Sequence, residues 1–182
     1  MRVFISGGCK NGKSYYAQRL SKQQKTGLLY YVATMISADS EDDERIQRHR
    51  DERDGWGFTT VEQPRDIAGI LRTCDRNGSF LLDSLTALLA NEMFLPGGRI
   101  NENAAQKISG ELLGLIESVE NIVIVSDYIY SDALHFDLLT ELYRKSLAEL
   151  DRLAARRCDV VLEAAYTGII THKGGEMFDA IR

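Results

Sequence analysis

The run Gly7-Gly8-Cys9-Lys10-Asn11-Gly12-Lys13-Ser14 fits the pattern G-x-x-x-x-G-K-[ST], and it follows directly on a short apolar stretch. The pattern suits phosphate chemistry. Its glycines let backbone N–H groups turn inward and ring a phosphate chain, and the helix that follows adds the positive end of its dipole. Lys13 would bridge the outer phosphates as a point charge, while Ser14 would offer its hydroxyl to Mg²⁺. Cys9 occupies a variable position of the pattern. A thiol at a helix N-terminus can be activated; a small filler is the competing role.

A loop of this kind works with an acid that holds the metal shell from the end of another buried strand. Apolar runs end in a carboxylate at Asp83, Asp127 and Glu163. Asp83 is the selected candidate, because the helix start at Ser84 puts it at the carboxyl edge of a sheet. Open α/β sheets bind ligands along that edge. For Asp127 and Glu163, helix capping competes with a metal role.

Residues 39–54 read DSEDDERIQRHRDERD, with Ile46 as the only aliphatic residue. A core helix needs an apolar stripe, and this segment has none. Its acids precede its arginines, the order favoured by the helix dipole, so a solvated helix is expected. Arg45, His49 and Arg53 then recur at helical spacing on one face. Like charge on either side would favour the neutral, nucleophilic imidazole, and the arginines could bind phosphates. The alternative is a charged helix that only covers the domain. Trp56, the single tryptophan, is either a core anchor or an aromatic platform for a planar ligand.

Behind these residues stands a regular alternation of elements. Near-continuous apolar runs at residues 2–6, 28–34, 79–83, 121–126 and 159–163 read as strands buried on both faces. Helical stretches at residues 13–22, 66–74, 84–93, 102–120 and 134–156 lie between them, and residues 165–172 could add an edge strand. The alternation predicts an α/β fold, a mostly parallel sheet with helices on both faces, in a single domain over residues 1–182. A length of 182 residues suits one core. The net charge of −5 argues against a general nucleic-acid binder. Three widely spaced cysteines form neither a disulfide framework nor a metal motif, so any metal is expected to arrive with a nucleotide. No apolar run could span a bilayer and no leader pattern opens the chain, so a cytoplasmic enzyme is expected.

Taken in order, the motifs resemble the bifunctional adenosylcobinamide kinase / adenosylcobinamide-phosphate guanylyltransferase family of cobalamin biosynthesis. The resemblance is carried by VFISGGCKNGKS, Tyr31-Val32-Ala33-Thr34, Arg45-Ile46-Gln47-Arg48-His49-Arg50, Trp56 through Glu62 to Pro64, and Leu81-Leu82-Asp83-Ser84-Leu85-Thr86 with Asn91. It implies a P-loop NTPase-like fold, a homotrimer, and ATP, GTP and a cobinamide as substrates, with Mg²⁺ as the metal. It further implies that Lys13 serves phosphoryl transfer from the loop at residues 7–14, and that His49 is guanylylated by GTP. Arg45, Arg53 and Glu62 become candidates for contact with the guanylyl group, and Ser14 with Asp83 for the metal. The family usually continues N-E-[VI]-G-x-G-[IV]-V-P after its fourth strand, where this chain reads Asp127-Tyr128-Ile129-Tyr130-Ser131-Asp132-Ala133-Leu134. Two further readings stay open at the level of residues: a small-molecule kinase with another acceptor, and a nucleotide sensor without transfer.

Overall fold

The apolar runs do form the inner strands of one sheet. A computed structural model describes residues 1–37, 40–166 and 168–179, with the backbone alone for Glu41, Asp42, Arg45, His49 and Glu52. The strands are β1 (Arg2–Gly7), β2 (Leu29–Ala33), β3 (Phe58–Glu62), β4 (Ser79–Asp83), β7 (Asn121–Asp127), β8 (Val160–Ala165) and β9 (Gly168–Lys173). They lie in the order β3-β2-β4-β7-β1-β8-β9, all parallel except β9, which runs antiparallel to β8 at the edge. A separate two-residue hairpin pairs β5 (Phe94–Leu95) with β6 (Arg99–Ile100).

Side chains of each strand alternate between two cores. On one face, Val3, Ile5, Leu81, Val123 and Val125 pack against Ala17 and Leu20 of α1 (Lys13–Gln23) and Phe178 of α7 (Gly175–Asp179). On the other, Phe4, Phe80, Leu82, Ile122 and Ile124 meet α4 (Leu85–Met93), α5 (Ala104–Ser118) and α6 (Leu138–Arg157). Burial on both faces is why these strands read as unbroken apolar runs. Each fully buried Leu, Ile or Val contributes about 1.5–3 kcal/mol.

Several elements differ from the sequence expectation. β3 was not expected, because an edge strand buries only part of each face and Phe58-Thr59-Thr60-Val61-Glu62 has no continuous apolar run. Residues 66–74 form a 3₁₀ turn (Ile67–Gly69) and a single turn of helix, α3 (Ile70–Thr73). α6 starts at Leu138 rather than at residue 134. Asp137 caps it by accepting N–H bonds from Leu139 and Thr140, both at 3.0 Å. The segment expected as the final strand turns at Tyr166, whose φ is +54°, so residue 165 closes β8 and β9 returns from Gly168.

Topology matters for the site in one respect. β7 lies between β1 and β4, so its carboxyl end emerges between the loop at residues 8–12 and Asp83. In register, Asp127 stands beside Gly7 and Val125 beside Asp83.

Candidate active site

The glycine-rich loop joins β1 to α1. Gly7 is required by close approach: a Cβ there would stand 2.7 Å from the carbonyl of Ala164 and 2.5 Å from Asn11 Nδ2. Gly12 adopts φ +83° as it leads into α1, a conformation that favours glycine. Asn11 pins the loop to the neighbouring strand, donating to Ala164 O at 2.6 Å, and its Oδ1 accepts the Lys13 N–H at 3.3 Å. Lys10 also takes a positive φ, and Cys9 is exposed, with its thiol free. Gly8 has open space where a Cβ would be.

Lys13 is 5% exposed, and its ammonium donates to Gly8 O at 2.9 Å and pairs with the Asp127 carboxylate. The capping role weighed for Asp127 is therefore not what this carboxylate does. Its backbone N–H is fixed separately, donating to Thr86 Oγ1 at 2.9 Å, and Tyr143 donates to Thr86 O at 2.9 Å. Asp83 takes another set of partners: Oδ1 accepts from Ser14 Oγ at 3.4 Å and Oδ2 from Tyr31 OH at 2.8 Å. The Ser14 hydroxyl and the Asp83 carboxylate form a pair of hard oxygen donors, which fits a nucleotide-borne divalent metal. Glu163, the third candidate, meets His172 Nε2 at 2.8 Å on the far strand instead.

A cavity of about 610 Å³ opens in front of these acids, with Asp83, Asp127, Tyr143, Arg50, Arg53 and Glu62 among its lining. One of its walls comes from the charged segment. That segment folds as α2 (Ser40–Glu52), and Asp43, Ile46 and Arg50 face the cavity. The backbone of Arg45 and His49 belongs to α2; the side chains of both lie outside the described residues. Arg53 lies just beyond the helix and is only 7% exposed. Its guanidinium sits 4.1 Å from the centroid of the Tyr31 ring and donates to Thr60 Oγ1 at 3.2 Å. Burial lowers its pKa, against the attraction of Tyr31. Arg50 bonds Glu62 at 2.9 Å on the rim.

The end of β2 is tied to the same edge. Ser84 donates its N–H to Thr34 Oγ1 at 2.7 Å, and Asn91 Nδ2 reaches Thr34 O at 2.6 Å and Pro64 O at 3.1 Å. Thr34, Pro64, Ser84 and Asn91 thus tie the cavity walls together, and Pro64 and Ser84 also line the cavity. Trp56 is neither a core anchor nor part of this cavity. Half-buried, it meets Tyr15 edge-on at 5.7 Å and carries the Lys22 ammonium 5.0 Å from its ring centroid. Sequence analysis gave no part to Tyr143 or Thr60, and it placed Tyr31 and Thr86 only within motifs, with no site role for either hydroxyl. Nothing in the spacing of Tyr143 and Thr60 marks them, because they reach the site only through sheet order and packing.

Sheet order, loop and acids define a P-loop NTPase-like α/β nucleotide-binding domain. A solved structure with the same fold is the flagellar accessory protein FlaH of Methanocaldococcus jannaschii. Its TM-score is 0.50 at 11% identity, over 94% of this chain and 77% of that one. The family model for cobinamide kinase / cobinamide phosphate guanyltransferase matches residues 3–171. The bifunctional adenosylcobalamin biosynthesis protein CobP of Pseudomonas aeruginosa is 31% identical over 88% of this chain and 91% of its own length. Its counterpart CobU of Escherichia coli is 25% identical over 93% and 98%. The chain belongs to the cobinamide kinase / cobinamide phosphate guanyltransferase family, and it is a bifunctional transferase.

Proposed function

We propose that the enzyme phosphorylates the hydroxyl of adenosylcobinamide's aminopropanol arm with ATP or GTP. It then transfers GMP from GTP, through a phosphoramidate on His49, to give adenosyl-GDP-cobinamide. The observation that carries the reading is the single cavity joining the acids beside the phosphate loop to α2, the helix that contains His49.

In the kinase step the loop at residues 7–14 holds the nucleotide's phosphates through backbone N–H groups, and Lys13 neutralises the transferred group. Ser14 and Asp83 would hold Mg²⁺, which supplies charge neutralisation at the phosphates when bound. In the second step neutral imidazole attacks the α-phosphorus of GTP, expelling pyrophosphate. The new phosphate of the acceptor then displaces the imidazole, dividing one transfer into two in-line displacements. Arg45 and Arg53 would stabilise charge on the guanylyl phosphate, and Glu62 would contact the same group from the rim.

Among the described residues no helix is long and apolar enough to cross a membrane. Placement in the cytoplasm and assembly as a homotrimer are part of this reading, by family resemblance. Light scattering of the purified protein tests the trimer.

The decisive test of the transfer chemistry is intact-protein mass spectrometry after incubation with GTP and Mg²⁺. A GMP-sized adduct is expected with GTP, absent with ATP and lost in His49→Ala. A fully labelled His49→Ala protein would remove His49 as the nucleophile.

A further inference from the structure

The mechanism above leaves one buried carboxylate at the centre of the site without a task. Asp127 is 8% exposed, lines the same cavity as Asp83 and touches the ammonium of Lys13. We propose that Asp127 is the general base of the kinase step, accepting the proton of the acceptor's hydroxyl. The inference rests on the phosphoryl-transfer reading given above.

Position is the first argument. Because β7 is inserted between β1 and β4, Asp127 emerges between the phosphate loop and the metal-side acid, in register with Gly7. When Lys13 reaches the outer phosphates of a bound nucleotide, the carboxylate it now contacts lies next to the group being transferred. The cavity opens on the same side, so an acceptor entering it approaches the phosphoryl group past Asp127.

Division of labour is the second. Both oxygens of Asp83 are committed, one to Ser14 and one to Tyr31. Glu163 faces His172 and is not part of the cavity lining. Asp127 has its backbone held by Thr86, which in turn is held by Tyr143, so the carboxylate sits on a fixed support. Among the described residues its cation partner is Lys13, the residue that nucleotide binding draws towards phosphate.

The step balances without a further reactant. The acceptor oxygen forms a bond to the γ-phosphorus, the bond from that phosphorus to the β–γ bridging oxygen breaks, and the nucleoside diphosphate leaves with that electron pair. The hydroxyl proton passes to the Asp127 carboxylate and from there to solvent once the product departs. Kinases of unrelated fold use an aspartate in the same way.

The test compares the two half-reactions in Asp127→Asn. Cobinamide phosphorylation should fall about 100-fold in kcat, with KM for nucleotide and the rate of GMP labelling by GTP kept within about twofold, since the latter involves no acceptor hydroxyl. Asp127→Glu, which restores a carboxylate, should recover at least part of the lost rate. Thermal unfolding alongside the parent separates a lost fold from a lost base. If both half-reactions fall together in a folded variant, Asp127 acts only through Lys13 and the proposal is overturned. It is overturned equally if phosphorylation proceeds at the parent rate, or if the glutamate is no faster than the asparagine. A parent enzyme that labels with GMP but phosphorylates no cobinamide would instead remove the kinase reading itself, and this proposal with it.

Discussion

Tyr31 donates its hydroxyl to Asp83 at 2.8 Å while its ring supports the guanidinium of Arg53 at 4.1 Å. One side chain of β2 therefore links the acid beside the phosphate loop to the arginine that closes the far wall of the cavity. The two parts of the site share a wall through this phenol, and a change at Tyr31 is felt by both.

Tyr31→Phe separates the two contacts, keeping the ring under Arg53 and removing the bond to Asp83. The neutral hydroxyl bonded to a carboxylate contributes about 1–2 kcal/mol. We expect nucleotide-dependent phosphorylation to fall about tenfold. GMP labelling should stay close to the parent rate. An equal loss in both activities would show that the hydroxyl serves both steps and not the kinase step alone.

Lys13 and Asp127 form a buried pair, so removing one partner leaves an uncompensated charge. Lys13→Met should abolish both activities and lower stability by about 3 kcal/mol. The double variant Lys13→Met/Asp127→Asn should regain most of that stability and none of the activity. Urea unfolding of the parent, both single variants and the double variant measures the coupling; additive losses would mean that the pair carries no interaction energy.

Asp151 of α6 is 3% exposed, and burial is the main cause that pushes its pKa up to about 6, opposed by Ser126 and by the Tyr130 hydroxyl, which donates to it at 2.7 Å. A carboxyl whose folded pKa lies above its unfolded value binds more protons in the folded state. Stability then falls as pH rises from about 4 to about 6, with a total cost on the order of 3 kcal/mol at neutral pH. Asp151→Asn keeps an acceptor for Tyr130 and avoids the buried charge. It should be more stable than the parent at pH 7 and show a flatter profile across that window in urea unfolding. A variant less stable than the parent at pH 7 would contradict this account.

Arg144 holds the segment that follows β7. From a site 6% exposed, it donates to Ile129 O at 3.2 Å, Leu134 O at 3.1 Å, Asp132 Oδ1 at 2.8 Å and Glu141 Oε1 at 2.8 Å, and it packs on the Phe136 ring. Replacing it by alanine removes all of these contacts at once. Arg144→Ala should lower stability by about 2–3 kcal/mol, and it should make residues 131–137 the first site of proteolytic nicking. Unchanged protease resistance would show that the segment is held by other means.

The sequence by itself determined the α/β class, the inner strands and the phosphate loop. Each rests on a local rule: runs buried on both faces are apolar throughout, and a ring of N–H groups around phosphate needs glycines at fixed places. Asp83 was legible for the same reason, as a carboxylate at the end of an apolar run before a helix. β3 was not, because an edge strand mixes threonines with apolar residues and leaves no such run. Nor was the place of Asp127, which in sequence looks like Glu163, another acid ending an apolar run. Only the insertion of β7 between β1 and β4 puts Asp127 against Lys13, whereas Glu163 on β8 faces His172. Arg53 likewise read as one of several arginines on a charged helix, yet it is buried on Tyr31 beyond the helix end. Strand order and packing depend on contacts between residues far apart in the chain, and no local pattern records which strands become neighbours.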